Sequence, residues 1–350
     1  MVDDDFLDNG GLGELFALEA EQATGHLERA CRRAARHAYL WPEEAVQLVR
    51  SERPLTELEG IGPVLARKLH QWIANPPAKV TPPPIRSEFL TLVQARRILD
   101  RMPEWRKALS GDLHMHTSWS DGSAPIAEMA SIAKERGYHY IAITDHTKGL
   151  KIANGLSELK LVEQSIEIDA ANDAFAKEGA NLVVLQSAEV NLSPSGELDI
   201  GRSALSKLDL VIGSFHSALR RTDDQTHRYL AALRNRSVHI LGHPQTRIYN
   251  HREGLRADWA RVFAEAARLD KAVEIDGYPD RQDLKVSLLR LALKEGARVS
   301  LGTDAHHPWQ LGFMDFSLAA ARLAGFPKER IINFLSLEEL RSWARKASIS

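Results

Sequence analysis

Seven short apolar runs, most of them ending in polar residues, succeed one another from Asp112 onward: DLHMHT, YIAITDH, NLVVLQSAEV, LVIGSFH, VHILGH, AVEID and VSLGTDAH. Stretches such as PIAEMASIAKERG and VSLLRLALKEG separate them, and these carry the three-and-four spacing of a helix with one buried face. Repeated strand then helix calls for a parallel sheet, because a strand can return to its neighbour's direction only through a crossover that covers the sheet. Seven such units fit an α/β barrel, whose active site lies at the C-terminal ends of its strands. An open doubly wound sheet is the alternative. The lack of a glycine-rich nucleotide fingerprint after the first run weighs against it.

The polar ends of these runs are where metal-ligating side chains collect. In GDLHMHTSWSDG, alternation along a strand puts His114 and His116 on one face, and Asp121 follows past a polar turn. The second run ends in His146, the third in Glu189, the fourth in His216, the fifth in His243 and the seventh in Asp304 and His306. A single histidine at a strand end is ordinarily just a satisfied polar residue. Nine imidazoles and carboxylates at one rim are another matter, because burying them together calls for cations to satisfy them. Asp145 alternates with His146 and so is expected to point away or to orient a neighbour. His26, His37, His70, His139, His227, His239, His251 and His307 lie on other helices, at the opposite rim or beside a ligand facing elsewhere, and are not expected to bind metal.

Ahead of Gly111 the pattern is helical. Leu12, Leu15, Phe16, Leu27, Ala30, Cys31, Ala34 and Ala38 recur at threes and fours, and the prolines of NPPAKVTPPP then stop the helices. We therefore expect a helical domain over residues 1–80, a linker and connecting helix broken near Pro103 over 81–109, and the barrel over 110–350. A 350-residue chain with 44% hydrophobic residues can bury a core in each. Net charge of −2 provides no global attraction to nucleic acid or anionic lipid, so any DNA contact must be local. The one cysteine, Cys31, rules out an intrachain disulfide. MVDDDFLDNG has no apolar leader core, and no later run reaches eighteen apolar residues, so a cytoplasmic protein without a membrane partner is expected.

The ordered motifs HMHTSWSDG, ITDHT, SAEVN, SFHS, GHP and GTDAH resemble those of the polymerase-and-histidinol-phosphatase (PHP) metallophosphoesterases. Further stretches, TDHTKGLKIANGL, SGELDI, EIDGYPDRQDL and INFLSLEEL, are similar to the PHP domain of bacterial family X DNA polymerases. The resemblance implies a distorted seven-stranded (βα)7 TIM-like barrel holding three divalent ions, Mn²⁺ or Zn²⁺, with Fe²⁺ also acceptable. His114, His116, Glu189 and Asp304 would hold one ion, Glu189 would bridge to a second held by His216 and His243, and Asp121, His146 and His306 would hold the third. The attacking water would then sit at Glu189, His114 and Asp304.

LTELEGIGPVLARKLHQWI resembles a helix-hairpin-helix, which with the preceding helices is similar to the small DNA-binding domain of the same polymerases. Gly60 and Gly62 would let the turn offer backbone N–H groups to a DNA phosphate, without reading bases. Lys68 falls where eukaryotic relatives carry a Schiff-base lysine, yet on this helix face it reads as an ordinary phosphate contact. Too little chain separates hairpin from barrel for a polymerase palm, so polymerisation is not expected. In EIDGYPDRQDL, Asp276 stands where the polymerase-associated pattern has asparagine, which puts the substrate in question.

Hard ligands around adjacent divalent ions suit hydrolysis of a phosphate ester. Lys148 and Arg247 are the favoured phosphate clamps, ahead of Lys151, Arg220, Arg221 and Arg281, while Tyr278 and Trp309 are candidates to stack on a base. The leading expectation is a DNA phosphoesterase, a 3′–5′ exonuclease or 3′-end phosphatase of repair. The alternatives are a phosphatase of a small ester such as histidinol phosphate or a nucleotide, and a non-catalytic DNA-binding module.

Overall fold

The structure is a computed structural model and describes residues 7–78 and 80–348. The acidic start MVDDDF, part of the stretch read above for a leader, lies outside the described residues. By internal contacts the chain forms two units: one runs to Arg101 and includes Ile248–Glu253, and the other takes Met102–Arg247 and the chain from Gly254 onward. The first therefore extends past the expected end at residue 80.

The second unit is the barrel. Its strands are β1 (Gly111–Met115), β2 (Tyr140–Ile143), β3 (Val183–Asn191), β4 (Leu210–Ser214), β5 (Ile240–Leu241), β6 (Ala272–Asp276) and β7 (Arg298–Gly302). All pair in parallel and in chain order, as the seven runs require. Between β1 and β7 the ladder is not regular, but the seam is held at both ends. His116 N donates to Ala305 O at 2.7 Å and Asp304 N to His114 O at 3.0 Å at the C-terminal end. At the other end the buried Asn333 amide donates to Gly111 O at 2.9 Å and to Leu301 O at 2.8 Å. In the middle, Asp112 accepts from Thr303 Oγ1 at 2.6 Å. Two backbone hydrogen bonds and the Asn333 and Asp112 side chains thus span this seam in place of a full ladder, and the barrel is nearly closed and distorted.

The helix Leu337–Ala347 closes the N-terminal end. A capping box at Ser336 and Glu339 starts it, satisfying two backbone donors that would otherwise be orphaned. Its Leu340, Trp343, Ala344 and Ala347 pack with Leu113, Tyr140, Leu210, Ile240 and Ala272, four of which are the first residues of their strands. With that end plugged by apolar side chains, the polar strand ends face the opposite rim.

In the first unit, helices Asn9–Gln22, Gly25–His37, Ala45–Arg50 and Pro63–Ala74 enclose Leu12, Phe16, Cys31, Trp41, Leu48, Leu65 and Leu69. Leu55–Ile73, read as a hairpin of helices, is a single 3₁₀ turn at Leu55–Glu57, a loop, and the helix Pro63–Ala74. Gly60 in that loop has φ +80°, a conformation other residues adopt only with strain. The connecting segment forms two helices, Leu92–Asp100 and Pro103–Ala108, with Pro103 starting the second rather than kinking one long helix. The buried Arg86 guanidinium pairs with Glu14 at 2.8 Å and Glu21 at 2.7 Å and donates to Asn250 Oδ1 at 3.0 Å. Tyr249 packs against Tyr39 at 4.9 Å and Phe89 at 5.2 Å between centroids. Among the described residues no helix is long and apolar enough to cross a membrane.

Candidate active site

Glu189, at the C-terminal part of β3, is the point on which the rim converges. Its Oε1 lies 2.8 Å from His243 Nε2 and 3.3 Å from His216 Nε2. Its Oε2 lies 2.9 Å from His146 Nδ1 and 3.6 Å from Nε2 of both His114 and His116. Burial alone would push this carboxyl upward, but the surrounding imidazoles outweigh it and hold the group well below the usual carboxylate range.

Each neighbour reaches this point by a local device. His114 and His116 share one face of β1, and their Nε2 atoms stand 3.2 Å apart. Asp121 follows a turn organised by Asp145, which accepts from Thr117 N at 2.8 Å, Ser120 Oγ at 2.5 Å and Gln164 Nε2 at 2.6 Å. Asp145 therefore orients its neighbours, as its position in TDH implied. Asp304 and His243 sit just past β7 and β5 with φ +50° and +21°, backbone angles that aim their side chains inward at a cost in strain. His306 Nε2 is 3.4 Å from Asp121 Oδ1 and His146 Nε2 is 3.6 Å from Asp121 Oδ2. The rings of His146 and His306 stack on His116 at 4.4 and 4.3 Å, and burial followed by these two neighbours pushes His116 down to about 3. His306, at the outer edge, is held up to about 9: burial opposes its charge, but Asp121 and Asp304 outweigh that.

Three sets of donors lie close enough to share an ion: His116, Asp121, His146 and His306; His114, His116 and Glu189; and His146, Glu189 and His216. His116, His146 and Glu189 each belong to two of these sets, and His243 Nε2 lies 2.8 Å from Glu189 Oε1. The residues fit a divalent cation on a direct observation: Glu189 Oε2, His116 Nδ1 and His146 Nδ1 are buried and make no hydrogen bond. Buried polar atoms left this way, with nitrogen and carboxylate donors facing one another, are what a hard or borderline metal would satisfy.

Several side chains that the sequence did not single out support the ring. Glu274, inside AVEID, contacts His114 Nδ1 at 2.6 Å and accepts from His243 N at 2.6 Å. Asn191 Oδ1 lies 2.5 Å from His216 Nδ1. No periodicity marks either residue, because their partners are distant in the chain. The candidate clamps fare unequally. Arg281 is ion-paired with Asp304 and lies 3.7 Å from Asp276 Oδ2, so it reaches the rim. Lys148, preferred on sequence, is exposed and paired with Glu158 at 2.6 Å, a contact ten residues along that spacing alone did not reveal. Arg247 is buried, its backbone N–H donating to Asp283 Oδ2 at 3.3 Å, and Arg221 pairs with Asp223. Asp276 is also buried, and burial and then Asp304 raise its carboxyl well above the ordinary value. Tyr278 stands edge-on to His306 at 6.4 Å, and Trp309 is exposed against Phe313. In the first unit, Gly62 precedes the helix Pro63–Ala74 without a capping side chain, and Lys68 Nζ is 2.5 Å from Glu19 Oε1.

Barrel and rim together define a hydrolase that acts on phosphate esters with divalent metal. Residues 112–278 match the model of the PHP domain, and this part of the chain is a PHP domain. A DNA polymerase/3′-5′ exonuclease PolX of Bacillus subtilis (strain 168) is 35% identical over 239 residues, which cover 68% of this chain and 41% of that protein. The chain thus corresponds to about two fifths of that relative's length. A probable phosphatase of Caldicellulosiruptor bescii is 28% identical over 247 residues, 68% of this chain and 96% of its own. Among solved structures, the histidinol phosphate phosphatase of Lactococcus lactis complexed with zinc, L-histidinol and phosphate aligns with a TM-score of 0.45 at 18% identity, covering 63% of this chain and 95% of that one.

Proposed function

We propose that this protein hydrolyses phosphate esters at DNA 3′ ends, as a 3′–5′ exonuclease or 3′-end phosphatase, with His114, His116, Asp121, His146, Glu189, His216, His243, Asp304 and His306 as metal ligands. The observation that carries the hydrolytic part is the convergence of five imidazoles on the buried Glu189 carboxylate. Bound divalent ions, manganese or zinc, supply Lewis acidity toward a phosphoryl oxygen and neutralise charge developing on the ester.

The protein's own groups do the rest. Glu189, shared by two of the three donor sets, keeps a negative charge there and would be a ligand for the cations they hold. Arg281 pins Asp304 from the side away from His116 and adds positive charge where an anionic ester must dock. His216 and His306, half-buried where the other histidines are sealed, face the incoming substrate. The DNA part rests on the greater likeness to a polymerase/exonuclease than to the probable phosphatase, and on the uncapped helix start at Gly62, where backbone N–H groups suit a phosphate.

One observation favours a smaller substrate. Beside His216 lies a cavity of about 340 Å³ lined by Gly149, Asn191, Ser193, Glu197 and Asp199 among others, roomy enough for one small molecule and acidic enough to repel a polyanion. Manganese-loaded protein incubated with end-labelled DNA bearing 3′-hydroxyl or 3′-phosphate termini, beside a panel of small phosphomonoesters, decides between them. Removal of nucleotides or phosphate from DNA ends at higher kcat/KM than any small ester is the expected result. Efficient turnover of a small ester with inert DNA ends would replace the DNA reading.

A further inference from the structure

Glu274 is buried at the middle of β6, a strand that contributes none of the nine donors. Both its oxygens are committed. Oε2 accepts the backbone N–H of His243 at 2.6 Å, and Oε1 lies 2.6 Å from His114 Nδ1. A carboxylate in this position only accepts, so His114 must present Nδ1–H to it. The lone pair of that ring is then on Nε2, the atom directed at Glu189, Asp304 and His116. The other oxygen holds the peptide of His243 at φ +21°, the unusual backbone from which its Nε2 reaches Glu189 Oε1. Space for this carboxylate is reserved on β7, where a Cβ on Gly302 would stand 2.3 Å from Glu274 Oε1.

We infer that Glu274 is a positioning residue that sets the tautomer of His114 and the backbone of His243 at once, locking two ligands on different strands into one metal-binding arrangement. This rests on the ligand assignment proposed above. The substitution Glu274→Gln keeps the shape but not the chemistry. An amide has one acceptor, so it cannot serve both N–H groups, and donation from its NH₂ to His114 Nδ1 would move the ring proton to Nε2 and remove the lone pair.

The test measures zinc binding by competition with a chromogenic chelator, apart from turnover. In Glu274→Gln, zinc affinity is expected to fall about 10- to 100-fold, the usual cost of losing a ligand's carboxylate partner. Thermal unfolding of the metal-free variant should stay near that of the parent. In zinc-loaded parent protein, ¹H–¹⁵N correlation should show a hydrogen-bonded Nδ1 proton on His114 that is missing in the variant. Zinc affinity equal to the parent's would overturn the role of Glu274. If the variant does not fold, the parent spectrum decides alone, and a His114 protonated on Nε2 overturns the inference. A parent that binds no zinc or manganese would instead sink the ligand assignment itself.

Discussion

Replacing Glu189 removes the anion that five imidazoles face, and replacing His114 removes the ring that touches both Glu189 and Asp304. Glu189→Ala and His114→Ala are each expected to abolish phosphoester hydrolysis and to lower bound metal, by more than the roughly 10- to 100-fold that a supporting residue costs. Metal content by elemental analysis and turnover on one substrate check both, and full activity with full metal in either variant would remove it from the ligand set. The nine rim residues were legible because strand alternation and strand ends are local properties of a sequence. Glu274 was not, because AVEID looks like a strand whose polar end is Asp276. What separates the two carboxylates is the room left by Gly302 on the neighbouring strand β7. Arg281 was one of six cations after strand ends, and nothing in the spacing said which would meet Asp304.

Among the elements, the closing helix Leu337–Ala347 shows how a pattern can be noticed without its job. INFLSLEEL stood out only as a likeness, whereas in the fold it seals the barrel end away from the site. His239 ties the start of β5 to it: Nδ1 accepts from Val211 N at 2.9 Å and Nε2 meets Ser348 Oγ at 2.8 Å. Burial, and then the nearby Lys271, push this imidazole down to about 4, so the fold requires it neutral. Stability from this group is therefore fully present above the unfolded value of about 6.5 and is lost as pH falls toward 4, on the order of 3 kcal/mol over that window. Urea unfolding of metal-loaded protein at pH 7 and pH 5 should show the loss, and His239→Asn should reduce it; an unchanged pH slope in that variant would clear His239. In the hairpin region a Cβ on Gly62 meets nothing within 4 Å, while one on Gly60 adds strain at φ +80° and approaches His37 at 3.3 Å. Gly62→Val is accordingly expected to fold normally yet weaken DNA binding severalfold, measured by fluorescence anisotropy at fixed salt, and equal affinity would leave the turn purely structural. Lys68→Ala should matter less, its ammonium being already engaged by Glu19, and no borohydride trapping on abasic DNA is expected from the parent.

At the scale of the molecule, the expected cut at residue 80 would pass through a working interior. Arg86, Phe89, Tyr249 and Asn250 all belong to the unit that begins with the helix Asn9–Gln22, and without Arg86 the buried Glu14 loses its ion-pair partner. A fragment ending at residue 80 should be less stable than one ending at Arg101 by about 3–5 kcal/mol, the usual cost of breaking a buried pair. Calorimetry on the two fragments tests this, and equal melting temperatures would show that Arg86 is dispensable. Composition and proline content mark where helices stop, but they carry no sign that six residues from beyond β5 return to complete a helical core. That return also sets a schedule. At about 5–20 residues per second, the roughly 150 residues between Arg101 and Ile248 take on the order of ten seconds to leave the ribosome. Until Tyr249 arrives, Tyr39 and Phe89 wait without the ring that packs against both, so the helical unit, although made first, is completed only after five of the barrel's seven strands have been synthesised.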